Sequence, residues 1–403
     1  MSESLAVTHD PFKDQNSLGI YTKLQNPAGD LAALRVERFA LQSASRELLN
    51  KFFRVDKKNI TQKKFRVAQC LRLPLENSVK IKSKNNVAHY SGLNVCGSVW
   101  TCPVCASKIT EGRRSELNDA LDYWKEQGGS VVLVTTTIPH RRNEKLADIL
   151  AKVQRARVTW RNRKGFKKTT RDFGVVGTIR SLEITYGVNG WHPHFHELYF
   201  YKPCPLLRKE TIFNDNSSHN QRLLQAELSN QWRSACKAEG LPLPSVSFGL
   251  DVRNGDFAAD YVAKFGRSTS SKWGVDHELT KGHIKQSRGG LSPFDLLRSF
   301  VSDGDCSPRS PSQYFIEFAF STFGRSMLHW SRGLKSILRV PERSDQELAE
   351  RVDTETVHLG NLTLLEWRFI LGRNLQGIIL EYANIGGMET VKDYLKIQRG
   401  KHG

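Results

Sequence analysis

A ten-residue segment near the middle of the chain reads Trp191-His192-Pro193-His194-Phe195-His196-Glu197-Leu198-Tyr199-Phe200. Its apolar second half is typical of a β-strand, in which residues two apart point to the same face of a sheet. His192, His194 and His196 would therefore share one face, while Phe195 would point the other way, into a core. The spacing predicts a strand that carries half of a metal site. A metal-free surface patch and a structural zinc site are the alternatives.

The preceding segment supplies a partner strand and a further ligand. Residues 173–186 are rich in apolar and β-branched side chains, and residues 187–190 contain two glycines and read as a turn. If this turn closes a regular hairpin, Glu183 falls opposite His194 on the histidine face. Two imidazoles and one carboxylate suit Mn²⁺ or Mg²⁺, with open positions for phosphate oxygens. His192 is the rival third ligand, although the proline after it makes the strand less regular.

A second motif lies downstream, at Asp260-Tyr261-Val262-Ala263-Lys264. Residues three apart on a helix are neighbours, so the Tyr261 hydroxyl and the Lys264 ammonium can address one phosphate. A tyrosine is a poor nucleophile at neutral pH unless a cation or a metal stabilises the phenolate or polarises its target. A core tyrosine is the alternative interpretation of this motif.

Together these residues resemble the HUH endonuclease superfamily, and within it the rolling-circle replication initiator (Rep) proteins of small bacterial plasmids. The signature of that family is a strand with two metal-binding histidines around a bulky residue, here His194-Phe195-His196, followed by a helix with a tyrosine and a lysine, here Tyr261 and Lys264. Residues 131–140 resemble its first motif, an apolar strand that ends in threonines. Residues 278–285 and 291–297 resemble the segment after its tyrosine helix. The likeness extends from about residue 65 to residue 335.

The resemblance implies an α+β protein with the HUH endonuclease fold, an antiparallel β-sheet with helices on one face. It also implies metal-dependent nicking of plasmid origin DNA, single-stranded or extruded as a hairpin. Tyr261 would attack the scissile phosphate, leaving a 3′-hydroxyl and a 5′-phosphotyrosine link before strand transfer, while Lys264 offsets charge. A host helicase and a DNA polymerase are the implied protein partners. A relaxase or transposase of the same superfamily is one alternative, and a non-catalytic zinc-binding nucleic-acid-binding protein is another.

One position departs from the family pattern. Relatives commonly carry a glutamate one helical turn before the tyrosine, where it serves the hydrolysis that ends replication, but this chain has Phe257 there. Asp256 and Asp260 are the nearby acids, and they lie roughly 140° and 100° around a helix from Tyr261. Either carboxylate is a candidate for the terminating step, and neither faces the tyrosine directly.

Four cysteines before residue 106 predict a structural zinc site. Cys102 and Cys105 form a Cys-x-x-Cys pair, a spacing that lets two thiolates bind one tetrahedral Zn²⁺ from a tight turn. Cys96 and Cys70 would complete the set, with His89 as a substitute fourth ligand, and a redox dithiol is the alternative. The other cysteines have no partner spacing: Cys204, Cys236 and Cys306. Reduced cysteines and the absence of a secretory signal or a membrane-length apolar run favour the cytoplasm, with no membrane partner.

The composition favours a polyanionic partner. The chain has 60 Lys plus Arg against 41 Asp plus Glu, a formal net charge of +19, which promotes binding to nucleic acid through phosphate neutralisation. Basic residues cluster at 51–66 and at 155–171. Trp160, Phe166 and Phe173 lie in or beside the second cluster, so bases could stack there while lysines hold the backbone. A solvated helix end is the alternative.

The length of 403 residues allows more than one domain. We expect an accessory arm at 1–64, a cysteine-rich zinc-binding segment at 65–130, an HUH nicking domain at 131–340 and a helical appendage at 341–403. Polar segments at 266–290 and 302–312 predict exposed loops. The sequence contains no internal repeat.

Overall fold

The computed structural model describes residues 27–50, 65–202, 218–255, 290–350 and 355–400. Several predicted features lie outside these ranges. They are Tyr261, Lys264, Asp256, Asp260, Cys204, the polar segment up to residue 289, and nearly all of the basic cluster at 51–66.

The described residues form eight strands: β1 Ser78–Lys84, β2 Val87–Ser91, β3 Ser130–Thr136, β4 Val175–Gly187, β5 Gly190–Tyr201, β6 Leu250–Asn254, β7 Leu328–Trp330 and β8 Val357–Thr363. The α-helices in the same ranges are α1 Pro27–Asn50, α2 Pro103–Glu126, α3 Leu146–Asn162, α4 Lys164–Asp172, α5 Ser218–Ala238, α6 Pro293–Asp303, α7 Pro311–Thr322, α8 Leu334–Ile337, α9 Asp345–Glu350, α10 Leu364–Gly372 and α11 Gln376–Gly400, the last kinked at Gly386 and Gly387. This mixture of antiparallel strands and helices is the α+β class that the sequence predicted.

The larger sheet has the strand order β6-β3-β5-β4-β7, with every neighbouring pair antiparallel. At its centre β4 and β5 form the predicted hairpin. Gly187 pairs with Gly190 around a two-residue turn, and Glu183 pairs with His194 as expected. Gly190 has a φ of 89°, and a Cβ there would lie 2.9 Å from the Cα of Arg142. Only glycine therefore fits where the loop after β3 packs against the hairpin tip.

Helices cover both faces of this sheet, which corrects the prediction of helices on one face. On the first face Phe195 and Leu182 pack with α3, α5, α6 and α7 in one hydrophobic cluster. On the second face Leu198 and Phe200 pack with α2 and α8. The physical reason lies in β5, whose residues from Phe195 to Tyr201 are all buried, as in a strand covered on both sides. Between Trp191 and Phe195 burial alternates, so this end of the second face stays open.

A smaller sheet joins distant parts of the chain. Its order is β2-β1-β8, so β1 of the cysteine-rich segment pairs with β8 near the far end. The region 341–403 was expected to be helical, and α10 and α11 do form, but β8 is an added strand. The short strand has exposed residues and few large apolar side chains, so no periodic signal marks it.

The helix α1 extends the helical pattern predicted around residues 31–40, and it contacts both α2 and α11. Of the segment 302–312, predicted to be an exposed loop, residues 304–309 form an exposed loop, but residues 302–303 end α6, α7 begins at Pro311, and Ser310 and Ser312 are buried. Within the described ranges, every helix is too short or too polar to span a bilayer.

Candidate metal centres

Glu183, His194 and His196 meet on the open end of the second sheet face. Nε2 of His194 and Nε2 of His196 lie 2.7 and 2.8 Å from the same carboxylate oxygen, Oε2 of Glu183. The three side chains offer one ligand atom each, all within 4.8 Å of one another. His194 and His196 are 14% and 8% exposed and Glu183 is 30% exposed, so the group opens to solvent on the carboxylate side. Such a group could bind a metal ion and leave coordination positions free.

The electrostatics of Glu183 suit a cation. Burial alone would raise the pKa of its carboxyl group, but the hydrogen bonds from His194 and His196 outweigh that effect and hold the pKa well below its usual value. Glu183 is therefore ionised at neutral pH. An ionised carboxylate beside two imidazole nitrogens is a donor set for a divalent ion.

The two histidines differ in what holds their rings. Nδ1 of His196 lies 3.0 Å from Oγ1 of Thr135, on the neighbouring strand. Nδ1 of His194 is buried and has no hydrogen-bond partner among the described residues. The ring of His196 is thus oriented from behind, as metal-binding histidines commonly are.

His192, the rival third ligand, is engaged elsewhere. Its Nδ1 lies 2.6 Å from Nε2 of His140, whose Nδ1 lies 2.9 Å from the carbonyl oxygen of Asn189. Burial, with the neighbouring His194 and His140, lowers the pKa of His192 to about 4. His192 is therefore neutral at physiological pH, and it belongs to a pair beside the three-residue group.

The four predicted cysteines form a second, buried cluster. The Sγ of Cys105 lies 3.5 Å from that of Cys70 and 3.6 Å from that of Cys96, and the Sγ atoms of Cys102 and Cys70 are 3.7 Å apart. Four sulfurs around a zinc ion with Zn–S bonds of about 2.3 Å would be about 3.8 Å apart, so the separations fit a tetrahedral site. Cys70 takes the fourth position, and His89 lies instead on β2.

The backbone at the start of α2 donates a hydrogen bond to one of the four sulfurs. Cys102 caps the N-terminus of α2, because its sulfur accepts a hydrogen bond from the backbone N–H of Cys105 at 3.5 Å. Hydrogen bonds from Cys102, Cys70 and Cys96 lower the pKa of the Cys105 thiol well below its usual value, whereas burial raises the pKa of the Cys102 thiol. Zinc binds the thiolate form of cysteine, and four sulfurs at these separations could hold a zinc ion.

The basic cluster at 155–171 is not the predicted stacking platform. Trp160 and Phe166 are 0% and 4% exposed and pack against each other at a centroid distance of 4.8 Å. Arg157 and Arg161 bind the fully buried carboxylate of Glu197 at 2.5 and 3.0 Å. Trp160 of α3 and Phe166 of α4 are thus buried in the core and inaccessible to bases, and Phe173 is partly buried against the same core. Exposed cations do remain on α4: Lys164, Lys167 and Lys168.

The sequence interpretation did not identify Thr135 or His140 as parts of the site. Both lie in the segment 131–140 that was singled out as an apolar strand ending in threonines. The sequence did contain a signal for Thr135, because a threonine near the end of a strand can contact a polar residue directly opposite on the neighbouring strand, here His196.

Residues 90–246 match the model of the Replication protein family. This match confirms the resemblance to plasmid replication (Rep) proteins, and the matched residues include Glu183, His194, His196 and three of the four clustered cysteines. Among curated proteins, the chain is similar to Protein rep of Streptomyces lividans, with 28% identity over 303 residues, 61% of this chain and 64% of that protein. It is also similar to a protein named Neomycin resistance protein of Streptomyces cyanogenus, with 31% identity over 132 residues, 27% of this chain and 30% of that protein. The chain thus spans less than two thirds of each relative, and no solved structure matches it.

Proposed function

We propose that this protein initiates rolling-circle replication of a plasmid by nicking one strand at the origin. The observation that carries the proposal is the convergence of Glu183, His194 and His196 at the open end of the sheet. A divalent ion, Mn²⁺ or Mg²⁺, held there would polarise the non-bridging oxygens of a phosphate and offset the charge that develops during attack. The open side of the group at Glu183 supports access for a phosphodiester.

The nucleophile in this proposal is Tyr261, which comes from the family resemblance because the residue lies outside the described ranges. Its phenolate oxygen would bond to phosphorus as the bond to the 3′ oxygen breaks. The products are a 5′-phosphotyrosine link and a free 3′-hydroxyl, which a host polymerase extends after a host helicase opens the duplex. Lys264 would stabilise the phenolate or the transition state.

In the same proposal the cysteine cluster holds a structural zinc ion. Cys70 precedes β1, Cys96 follows β2, and Cys102 and Cys105 lie at the start of α2. One ion would thus fix the small sheet to the helix that covers the second face of the large sheet. Plasmid origin DNA is the proposed partner, and the cytoplasm is the compartment where it would be met.

The deciding experiment is nicking of a supercoiled plasmid that carries the origin, with added Mn²⁺, followed by a denaturing gel for the covalent protein–DNA adduct. We expect a slow-migrating band with the wild type. Tyr261→Phe should abolish the band while DNA binding persists, because the link requires a phenolic oxygen. Tyr123→Phe, on α2, is the matched control and should behave as wild type.

The outcomes separate the alternative classes. An undiminished band in Tyr261→Phe would assign the nucleophile to another residue. DNA binding without nicking at any divalent ion concentration would favour the non-catalytic zinc-binding protein. Nicking that requires an origin of transfer or a transposon end would favour a relaxase or a transposase.

A further inference from the structure

We propose that the ring of Phe248 stacks on an unpaired DNA base next to the phosphate bound at Glu183, His194 and His196. This inference rests on the proposed function, in which single-stranded DNA reaches that group. It names a DNA base as the binding partner of Phe248, whose side chain is exposed to solvent.

Phe248 is 81% exposed, and phenylalanine is a residue that folded proteins usually bury. Phe323 is also largely exposed at 42%, but its ring packs edge-on against Phe65 at 5.5 Å. Among the described residues, no ring pairs with Phe248. Isolated exposed apolar residues are common, so exposure alone assigns no role.

The turn that carries Phe248 is held rigidly. The backbone N–H groups of Ser247 and Phe248 donate to Oγ of Ser245 at 3.2 and 3.4 Å, and the N–H of Gly249 donates to the carbonyl of Ser245 at 2.8 Å. A side chain at Gly249 would collide with Pro244 and with the Ser245 carbonyl. The ring is thus presented from a fixed backbone, which lowers the entropy lost on binding.

Thr137 fastens this turn to the strand beside the candidate metal site. The carbonyl of Phe248 accepts from Oγ1 of Thr137 at 2.9 Å, and the carbonyl of Gly249 accepts from its N–H at 2.9 Å. The carbonyl of Thr137 in turn accepts from Nε1 of the buried Trp232 at 3.1 Å. The N–H and hydroxyl groups of Thr137 therefore hold the turn, and its carbonyl is held by Trp232.

The strand register places the turn level with the histidines. Thr136 pairs with Phe195 on β5 and with Leu250 on β6. Thr137 bonds to Gly249 on the β6 side, and the same register continued by one residue would place it opposite His194 on the other side. The turn of Phe248 is thus two strand spacings, or about 10 Å, from His194, near enough for one strand of DNA to contact both.

The charges at this end of the sheet complete the argument for nucleic acid as the occupant. The exposed Arg141 and Arg142 follow β3, and their backbone packs against Gly190 at the tip of the β4–β5 hairpin. Phe248 lies toward β6 and the arginines lie toward the hairpin tip. Proteins that bind single-stranded nucleic acid without strict sequence preference combine aromatic rings, which stack on bases, with cations that contact the backbone. Phe248 and the two arginines provide both at this end of the sheet.

The test is the affinity for a fluorescein-labelled single-stranded oligonucleotide of mixed sequence, measured by anisotropy without added divalent ions. Phe248→Ala should weaken binding roughly 5- to 150-fold, the range for loss of one base-stacking contact. Phe248→Trp should retain the affinity. Val246→Ala is the matched control, because Val246 is 61% exposed on the same turn, and it should bind as wild type.

Two further readouts identify the contact as stacking. The slope of log affinity against log salt should be unchanged in Phe248→Ala and shallower in Arg141→Ala, since only the arginine contacts phosphate. Affinity for a blunt duplex should change less than twofold in Phe248→Ala. The fluorescence of an oligonucleotide that contains 2-aminopurine should be quenched on binding to the wild type and to Val246→Ala, and this quenching should be lost in Phe248→Ala.

The proposal is overturned if Phe248→Ala binds the oligonucleotide as tightly as Val246→Ala. It is also overturned if duplex affinity falls equally, or if the variant changes the oligomeric state on gel filtration, which would make a second copy of the chain the occupant. The measurement omits the nicking step. A wild-type protein that binds and stacks but never nicks would therefore refute the proposed function and leave the stacking intact.

Discussion

Oγ1 of Thr135 lies 3.0 Å from Nδ1 of His196, on the side of the ring away from Glu183. The contact fixes the ring so that Nε2 points at the carboxylate. Hydrogen bonds behind a metal-binding histidine typically contribute 10- to 100-fold in metal affinity.

We therefore predict that Thr135→Val weakens Mn²⁺ binding by roughly 10- to 100-fold without unfolding the protein. Isothermal titration calorimetry of the purified variant measures this. Thr170→Val removes a hydroxyl that only bonds its own helix and should leave Mn²⁺ affinity unchanged. Equal affinities in the two variants would show that Thr135 does not position the ligand.

The choice of third ligand is tested by comparing Glu183→Gln with His192→Ala. Glu183 faces both histidines, whereas His192 is paired with His140. Glu183→Gln should abolish detectable Mn²⁺ binding and nicking, while His192→Ala should retain Mn²⁺ binding within a few-fold. The reverse pattern would make His192 the ligand.

Removing one cysteine of the cluster should lower both the zinc content and the stability of the protein. Cys105→Ser should lower the zinc content measured by elemental analysis and reduce the melting temperature, because a structural zinc contributes directly to folding. Cys236→Ser is the control, since Cys236 is buried but lies outside the cluster. A zinc content near one per chain in Cys105→Ser would exclude this site.

Glu197 predicts a pH-dependent stability. Burial alone would raise the pKa of its carboxyl group, but Arg157 and Arg161 outweigh burial and hold the pKa below its usual value. Glu197→Gln leaves both guanidinium groups without their counter-ion and should destabilise the fold by about 3 kcal/mol at neutral pH.

The sign of the pH dependence follows from that depressed pKa. The stabilisation is present above the unfolded-state pKa of about 4.3 and is lost as the pH falls through the lower folded-state pKa. Urea denaturation at neutral pH and at successively lower pH should show the gap between wild type and Glu197→Gln narrowing. A gap that widens with acidification contradicts the assignment.

The terminating step is tested with Asp256→Ala and Asp260→Ala. A general base typically contributes about 10² to 10⁴-fold to such a hydrolysis, so the variant that lacks it should nick normally and release closed circles slowly. We expect Asp256→Ala to show this defect, since in the tyrosine helix that the family resemblance implies, a small shift of register would bring that carboxylate to Tyr261. Unchanged circle closure in both variants would place the function on a second tyrosine or another subunit.

The sequence predicted the central hairpin because strand periodicity acts over neighbouring residues. Once residues 187–190 form the turn, the pairing of Glu183 with His194 follows from counting. The cysteine spacing likewise predicted a cluster. Neither pattern carries information on what lies above the sheet, so the second helical layer was missed.

The failed prediction at 155–171 has a related cause. Basic residues alternate there with Trp160 and Phe166, a pattern shared by a nucleic-acid-binding surface and by an amphipathic helix with a long polar face. Buried Glu197 decides between them by drawing Arg157 and Arg161 inward. The contacts of Glu197 with these two arginines depend on tertiary packing, which a local sequence pattern does not encode.

The position of β1 between β2 and β8 has a consequence for synthesis on the ribosome. β2 is made directly after β1, but β8 emerges only after all strands of the larger sheet have left the exit tunnel. Until then one edge of β1 exposes unpaired N–H and C=O groups, a surface that favours pairing with other chains. The hairpin with Glu183 and His194 needs no such delay, so the larger sheet can begin to assemble while the smaller sheet still lacks its last strand.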